Sequence, residues 1–328
     1  MLLAGDIGGT KTDLAVFAPE SGLTPLAEAE FPSKDYANLE AVAGEFLARV
    51  HLPVDRACVA IAGPVVNGRV KTPNLPWVVD SQELGNRLGL GTVLLLNDLE
   101  ATAMAVPVLG SGDTHVLRSG EPVIGGPIAV IAPGTGLGEA YLTLHGGRYA
   151  AHASEGGHCD FGPVDAIQLE LLNYMLKQMD HVSYEHVCSG MAIPSLYDFL
   201  LDRGHAKERP ELAEAFEGGA DRTPLIVDSA LHWAEADPLS AATLQLFVKI
   251  LGAEAGNLAL KVMATGGVYL AGGIPPRILP ALSRPEFFSA FLKKGRMSDL
   301  LSSVPVSVIL RPAALIGAAS RGLELFRS

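Results

Sequence analysis

The chain of 328 residues is short of several things, and each shortage removes a class of function. Basic side chains are outnumbered, 24 Lys and Arg against 36 Asp and Glu. The resulting formal charge of −12, with no local basic cluster to offset it, repels nucleic acid and anionic lipid, so a small-molecule partner is expected. Cysteine is scarce: Cys58, Cys159 and Cys188 cannot all pair with one another and are not spaced as a metal site, which fits a reducing compartment. No apolar run approaches the ~18 residues that spanning a bilayer needs. The opening MLLAGDIGG has no basic stretch and meets Asp6 too early for a secretory leader, so the expectation is a soluble cytoplasmic protein.

What is present begins with length. A chain of this size is long for one core and comfortable for two, which makes a cleft between two domains an expectation. The stretch VLLLNDLEAT, Val93 to Thr102, organises the rest. Its apolar run reads as a parallel strand covered on both faces, and ligands of open α/β sheets bind at the carboxyl ends of such strands, where Asn97 and Asp98 stand. The helix formers that follow leave a second reading open, in which Asn97 or Asp98 is a plain N-cap.

Two glycine-rich turns carry the next argument. GDIGGTKT, Gly5 to Thr12, lies between apolar runs and reads as strand, tight turn and returning strand. Glycines there allow close approach and positive φ, and Thr10, Lys11 and Thr12 add donors, which suits phosphate oxygens. A ligand-free hairpin is the alternative, and the Walker pattern is absent. The device returns at PGTGLG, Pro133 to Gly138, between the strands Ile128–Ala132 and Glu139–Leu144. That repetition points to two related domains, each offering a phosphate-gripping hairpin to a shared cleft. A dinucleotide fingerprint is discounted, because G-x-G-x-x-G fails at Glu139 and a strand follows.

Further stretches add polar groups. Leu39 to Val50 has helical spacing and leads to the strand CVAIAG, Cys58 to Gly63; VKTPNLPW, Val70 to Trp77, is an irregular loop that either lines a ligand or tucks Trp77 into a core, and Ser81 caps a short helix. SEGGHCDFGP sets Glu155 and His158 three apart, yet two intervening glycines argue for a hydrogen-bonding loop over a metal-binding helix. In HVSYEHVCSG, Ser183 is expected to cap a helix with Glu185 in its first turn. A long helix spans Ala241–Met263, followed by the strand Val268–Ala271, where Gly272 and Gly273 let a ligand approach.

Taken in order, GDIGGT, LLNDLEATA, APGTGLG, EGGHCDF, HVSYEHVCSG and GGVYLAGGIPPR make the sequence resemble the bacterial ATP-dependent glucokinases of the hexokinase, actin and heat-shock-chaperone ATPase superfamily. The resemblance implies a two-domain actin-like ATPase (ribonuclease H-like) α/β fold, with a duplicated strand-hairpin-helix core and an interdomain cleft. It places a small domain over 1–108 and 309–328 and a large one over 109–308. It implies that Gly5, Asp6, Ile7, Gly8, Gly9 and Thr10, with Gly134, Thr135 and Gly136, embrace the ATP phosphates, and that Gly272 and Gly273 lie by the adenosine. By the same resemblance Asn97, Asp98, Glu155, His158 and Glu185 hold glucose, Asp98 is the general base, and Asp6 orients Mg2+ through water. The chain would move the γ-phosphoryl of ATP to the 6-hydroxyl of glucose, as a homodimer. Another hexose or amino sugar, or a sugar-sensing module without turnover, remains open. Zinc-dependent relatives carry a cysteine cluster after a GH motif, whereas only Cys159 and Cys188 follow His158, so zinc is not expected. The chain opens directly on its first strand, leaving no room for a DNA-binding helix-turn-helix before it.

Overall fold

A computed structural model describes residues 1–326. Two compact units emerge, one formed by 1–111, 140–153 and the chain from 311 onward, the other by 112–139 and 154–310. The expected boundaries differ from these chiefly at 140–153, which joins the first unit, while the last two residues of the expected 309–328 segment lie outside the described residues.

The first unit is built on β1 (Leu2–Ile7), β2 (Lys11–Phe17), β3 (Ala27–Pro32), β4 (Arg56–Ile61) and, beyond a small ribbon of β5 (Arg69–Lys71) and β6 (Val78–Asp80), β7 (Thr92–Asn97). Their order across the sheet is β3-β2-β1-β4-β7. β2 runs antiparallel to both β1 and β3, whereas β1, β4 and β7 are mutually parallel. Period-two alternation splits β1 between two cores. Leu3 and Ile7 pack with Val42 and Phe46 of the helix Leu39–Val50, while Leu2 and Ala4 pack with Ala314 and Ala318 of the helix Ala314–Leu323. The second face is made of small residues, so backbones approach closely there. A Cβ on Gly317 would fall on the carbonyl of Ala101, which lets Ala314–Leu323 pack hard against the helix Asp98–Ala105. Trp77 is 1% exposed in the first core, and its Nε1–H donates to the Tyr36 carbonyl (3.2 Å), so of its two readings the core one holds.

A second sheet repeats the pattern. It contains β8 (Thr114–Arg118), β9 (Ile128–Pro133), β10 (Leu137–His145), β11 (Arg148–Ser154), β12 (Gly267–Leu270) and β13 (Val306–Ile309), in the order β11-β10-β9-β12-β13-β8. As in the first sheet, a central strand has its hairpin partners on one side and two parallel strands on the other, with β8 added antiparallel to β13. β10 has nine residues against six in β9, and His152 of β11 comes within electrostatic reach of Glu100. The 25-residue helix Pro238–Val262 forms the spine of the second core. Among the described residues, no helix is long and apolar enough to cross a membrane.

Candidate active site

In the first unit, the β1–β2 turn is closed by the Gly8 N–H donating to the Lys11 carbonyl (2.9 Å). Ser33 braces it from behind, donating through Oγ to the Gly8 carbonyl (2.8 Å) and pairing with Thr12 Oγ1 (2.9 Å). Thr12 is therefore fully buried, contrary to the donor role expected of it, and Lys11, half-exposed, pairs with Glu30 (2.7 Å) and Asp13 (3.1 Å). What remains at the tip are the backbone N–H groups of Gly9 and Thr10, which have no hydrogen-bond partner among the described residues. Gly5 and Ile7 lie inside β1, Gly5 against Leu14 and Val59 and Ile7 in the core. Asn74, from the loop between β5 and β6, covers Gly9 so closely that a Cβ there would sit 2.7 Å from the Asn74 Cβ. Nothing local in VKTPNLPW distinguishes Asn74 from its neighbours.

Asp6 lies one residue before the end of the same strand. Its carboxyl is raised from the ordinary 3.8 to about 7, first by burial, then by the charges of Asp13 and Asp98, with Lys11 opposing. Three carboxylates thus share one corner of this unit.

At the end of β7 the capping reading of the Asn97–Asp98 pair is realised by Asn97. Asn97 is the N-cap: its Oδ1 accepts from the Leu99 N–H (2.9 Å) and the Glu100 N–H (3.3 Å), and its Nδ2 donates to the Gly63 carbonyl beyond β4 (3.2 Å). Asp98 is the first helical residue, with Oδ1 accepting from the Leu99 N–H (2.9 Å). Burial raises its carboxyl above the usual aspartate range, and the Leu99 N–H, its own N–H and the Asn97 amide pull it partly back. The result is a shielded carboxylate with more basicity than an exposed one.

In the second unit, the β9–β10 turn closes through the Gly134 N–H to the Gly136 carbonyl (2.9 Å), and the N–H groups of Thr135 and Gly136 have no partner among the described residues. This matches the tip of the first hairpin. Glu185 stands against it, with Oε2 accepting from the Leu137 N–H (2.8 Å). A Cβ on Gly136 would overlap that oxygen, so a side chain there would displace the Glu185 carboxylate. Gly272, at φ +83°, bends the chain after β12 so that it touches the Pro133 carbonyl, while Gly273 faces open space.

Glu185 is not at a helix start, contrary to expectation. The next α-helix begins at Ala192, and residues 182–185 instead pair with the segment 157–161. The Phe161 N–H donates to Val182, Tyr184 to Cys159 (3.0 Å) and Glu185 to Gly157 (2.8 Å), and Ser183 bridges Asp160 in place of capping. Long-range pairing overrides the local capping signal. It also gathers three predicted residues, because His158 Nδ1 lies 3.9 Å from Glu185 Oε1 and His158 Nε2 lies 3.8 Å from Glu155 Oε2. Glu155 and His158 are exposed, Glu185 mostly covered. Thus Gly5–Thr10, Asn97 and Asp98 belong to the first unit, and Gly134–Gly136, Glu155, His158, Glu185, Gly272 and Gly273 to the second.

Comparison with known proteins follows this geometry. A family model described as Glucokinase matches residues 3–324. A glucokinase of Nostoc punctiforme is 41% identical over 333 residues, covering 97% of this chain and 98% of the relative. Among solved structures, a glucokinase from an Antarctic psychrotroph superposes with a TM-score of 0.83 at 32% identity, covering 98% of each chain. A ROK family glucokinase of Streptomyces griseus, solved with glucose and AMPPNP, has a TM-score of 0.64 at 22% identity over 98% of this chain and 99% of its own, a likeness of fold.

Proposed function

We propose, from the premise that this chain belongs to the glucokinase family and is an ATP-dependent hexose kinase, that Asp98 is the base. The reaction moves the γ-phosphoryl of ATP to the 6-hydroxyl of glucose, giving glucose 6-phosphate and ADP. The observation that carries the assignment is the position of Asp98 at a helix start, its carboxyl buried and raised, in the electrostatic neighbourhood of Asp6.

As the sugar oxygen forms its bond to phosphorus, the bond from phosphorus to the ADP oxygen breaks, and Asp98 takes the hydroxyl proton. Phosphoryl transfer is mainly a matter of positioning and charge stabilisation, so the chain's work lies in aiming donors. The N–H groups of Gly9 and Thr10, and those of Thr135 and Gly136, which have no partner among the described residues, suit phosphate oxygens, and the open space at Gly273 suits the adenosine. Glu155, His158 and Glu185 receive sugar hydroxyls. Glu185 does so through Oε1, since Oε2 is engaged with Leu137. Asn97 spends its Oδ1 as a cap, so its contribution is to aim Asp98 and to offer its remaining amide hydrogen.

Asp6, crowded by Asp13 and Asp98 and offset in part by Lys11, would hold Mg2+ through its water shell. When bound, that ion neutralises charge on the phosphate oxygens. A cytoplasmic location, supported by three free thiols, and a homodimer complete the reading.

The test is a coupled ADP-release assay over a panel of hexoses and amino sugars. Glucose should give the highest kcat/KM. A higher value for another sugar would change the substrate, and glucose binding without ADP release would favour a sensing module.

A further inference from the structure

Glu139 plays no part in the reaction above, yet its setting ties it to the sugar-binding turn. It is 2% exposed, and its Oε1 has no hydrogen-bond partner among the described residues. Its Oε2 lies directly against Gly156, where a Cβ would overlap it, and the adjacent Gly157 is pressed in the same way onto the Leu137 carbonyl. The turn carrying Glu155 and His158 therefore rests on the Glu139 carboxyl and the β10 backbone.

From behind, the helix Pro238–Val262 presents Glu254, fully buried, with Oε1 held by Lys261 Nζ (3.2 Å) and Oε2 by Asn257 Nδ2 (2.8 Å). The same Asn257 amide donates to Tyr184 Oη (3.0 Å), and the Tyr184 N–H bonds Cys159. This network thus reaches the sugar-binding segments twice, at Gly156 and beside Glu185. Lys261 hydrogen-bonds Glu254, and burial followed by the Glu254 charge pushes Glu139 up to about 8, with the Lys261 charge opposing. The titratable and charged groups around it are Glu254 and Lys261 on the helix, Lys294 packed against Asn257, Tyr184, Glu185 and Cys188 on the returning segment, and Glu155, His158 and Cys159 at the turn.

We propose that Glu139 is a positioning residue for the hexose: seated against Gly156 and beside Glu254, it holds the turn of Glu155 and His158 in the shape that receives the sugar. The proposal rests on the reading that this turn binds glucose. Its sign follows from the chemistry. The neutral acid belongs to the packed turn, so the packed shape predominates below about 8. Ionisation sets a second negative charge beside Glu254, draws the carboxyl toward water and loosens the turn, so sugar affinity falls as pH rises through about 8.

Glucose binding is measured by calorimetry without nucleotide, at about pH 7 and pH 9, for the wild type, Glu139→Gln, Glu139→Ala and Glu155→Gln. The wild-type Kd should rise roughly five- to tenfold between the two pH values. Glu139→Gln, which keeps the shape and cannot ionise, should stay within about twofold across them. At neutral pH Glu139→Ala should weaken glucose by roughly tenfold while ATP affinity stays within about twofold. If Glu155→Gln weakens glucose but Glu139→Gln keeps the wild-type pH dependence, the role of Glu139 is overturned and the sugar reading stands. If Glu155→Gln leaves glucose binding unchanged, the sugar reading of the turn falls and takes the proposal with it. Should Glu139→Ala fail to fold, the Glu139→Gln comparison decides alone.

Discussion

The crowding of carboxylates at the first hairpin makes a prediction about stability that runs against intuition. Asp6→Asn should stabilise the ligand-free protein at mildly alkaline pH and leave it unchanged in acid. Folding raises the Asp6 carboxyl from 3.8 to about 7, so between these values the native state holds a proton that the unfolded chain has released. Stability contributed in this way is present below the lower value and is lost as pH rises through the upper one. A shift of about three units corresponds to about 4 kcal/mol, a ceiling because the side chain retains some contact with water. The asparagine has no charge to desolvate and escapes that loss. Urea unfolding at about pH 4 and pH 8 measures it, followed through Trp77, which is buried in the core of the first unit, in a Trp233→Phe background because Trp233 is 60% exposed in the second. The variant should gain a few kcal/mol at the higher pH and about none at the lower. Equal effects at both, or destabilisation at pH 8, would show that Asp6 is not strained by its neighbours and remove the argument for a cation there.

Two further predictions concern the second unit. Glu155→Gln should raise KM for glucose by roughly tenfold or more with little change in KM for ATP, as expected for a lost charge-assisted hydrogen bond, and steady-state kinetics with each substrate varied checks it. Gly136→Ala should displace Glu185 from the Leu137 N–H and weaken glucose binding by roughly tenfold or more, whereas Gly134→Ala, with nothing within 4 Å, should be tolerated; equal behaviour of the two would disconnect Glu185 from the hairpin.

The hairpins were legible because their signal is local. Glycines flanked by apolar runs specify a strand, a turn and a strand, and the repetition of that device at Gly134–Gly136 matches the shared order of the two sheets. The Asn97–Asp98 pair was legible only as an ambiguity, since capping and catalysis favour the same residue types at a helix start. Glu185 was misplaced because Ser183 and a carboxylate two residues on imitate a helix N-terminus, while the interaction that governs them is pairing with 157–161, more than twenty residues back. Glu139 gave no local sign of burial. Its environment is made by a helix more than a hundred residues later, and no periodicity in β10 announces Glu254 or Lys261.

The central claim is that Asp98 takes the proton of the attacking hydroxyl, and one variant tests it most directly. Asp98→Asn keeps the shape and the oxygen that accepts from Leu99 while removing the base. The account predicts a kcat lower by roughly 10²-fold or more, with glucose affinity, read by calorimetry, largely retained. Turnover within a few-fold of the wild type would contradict it and move the base elsewhere in the site.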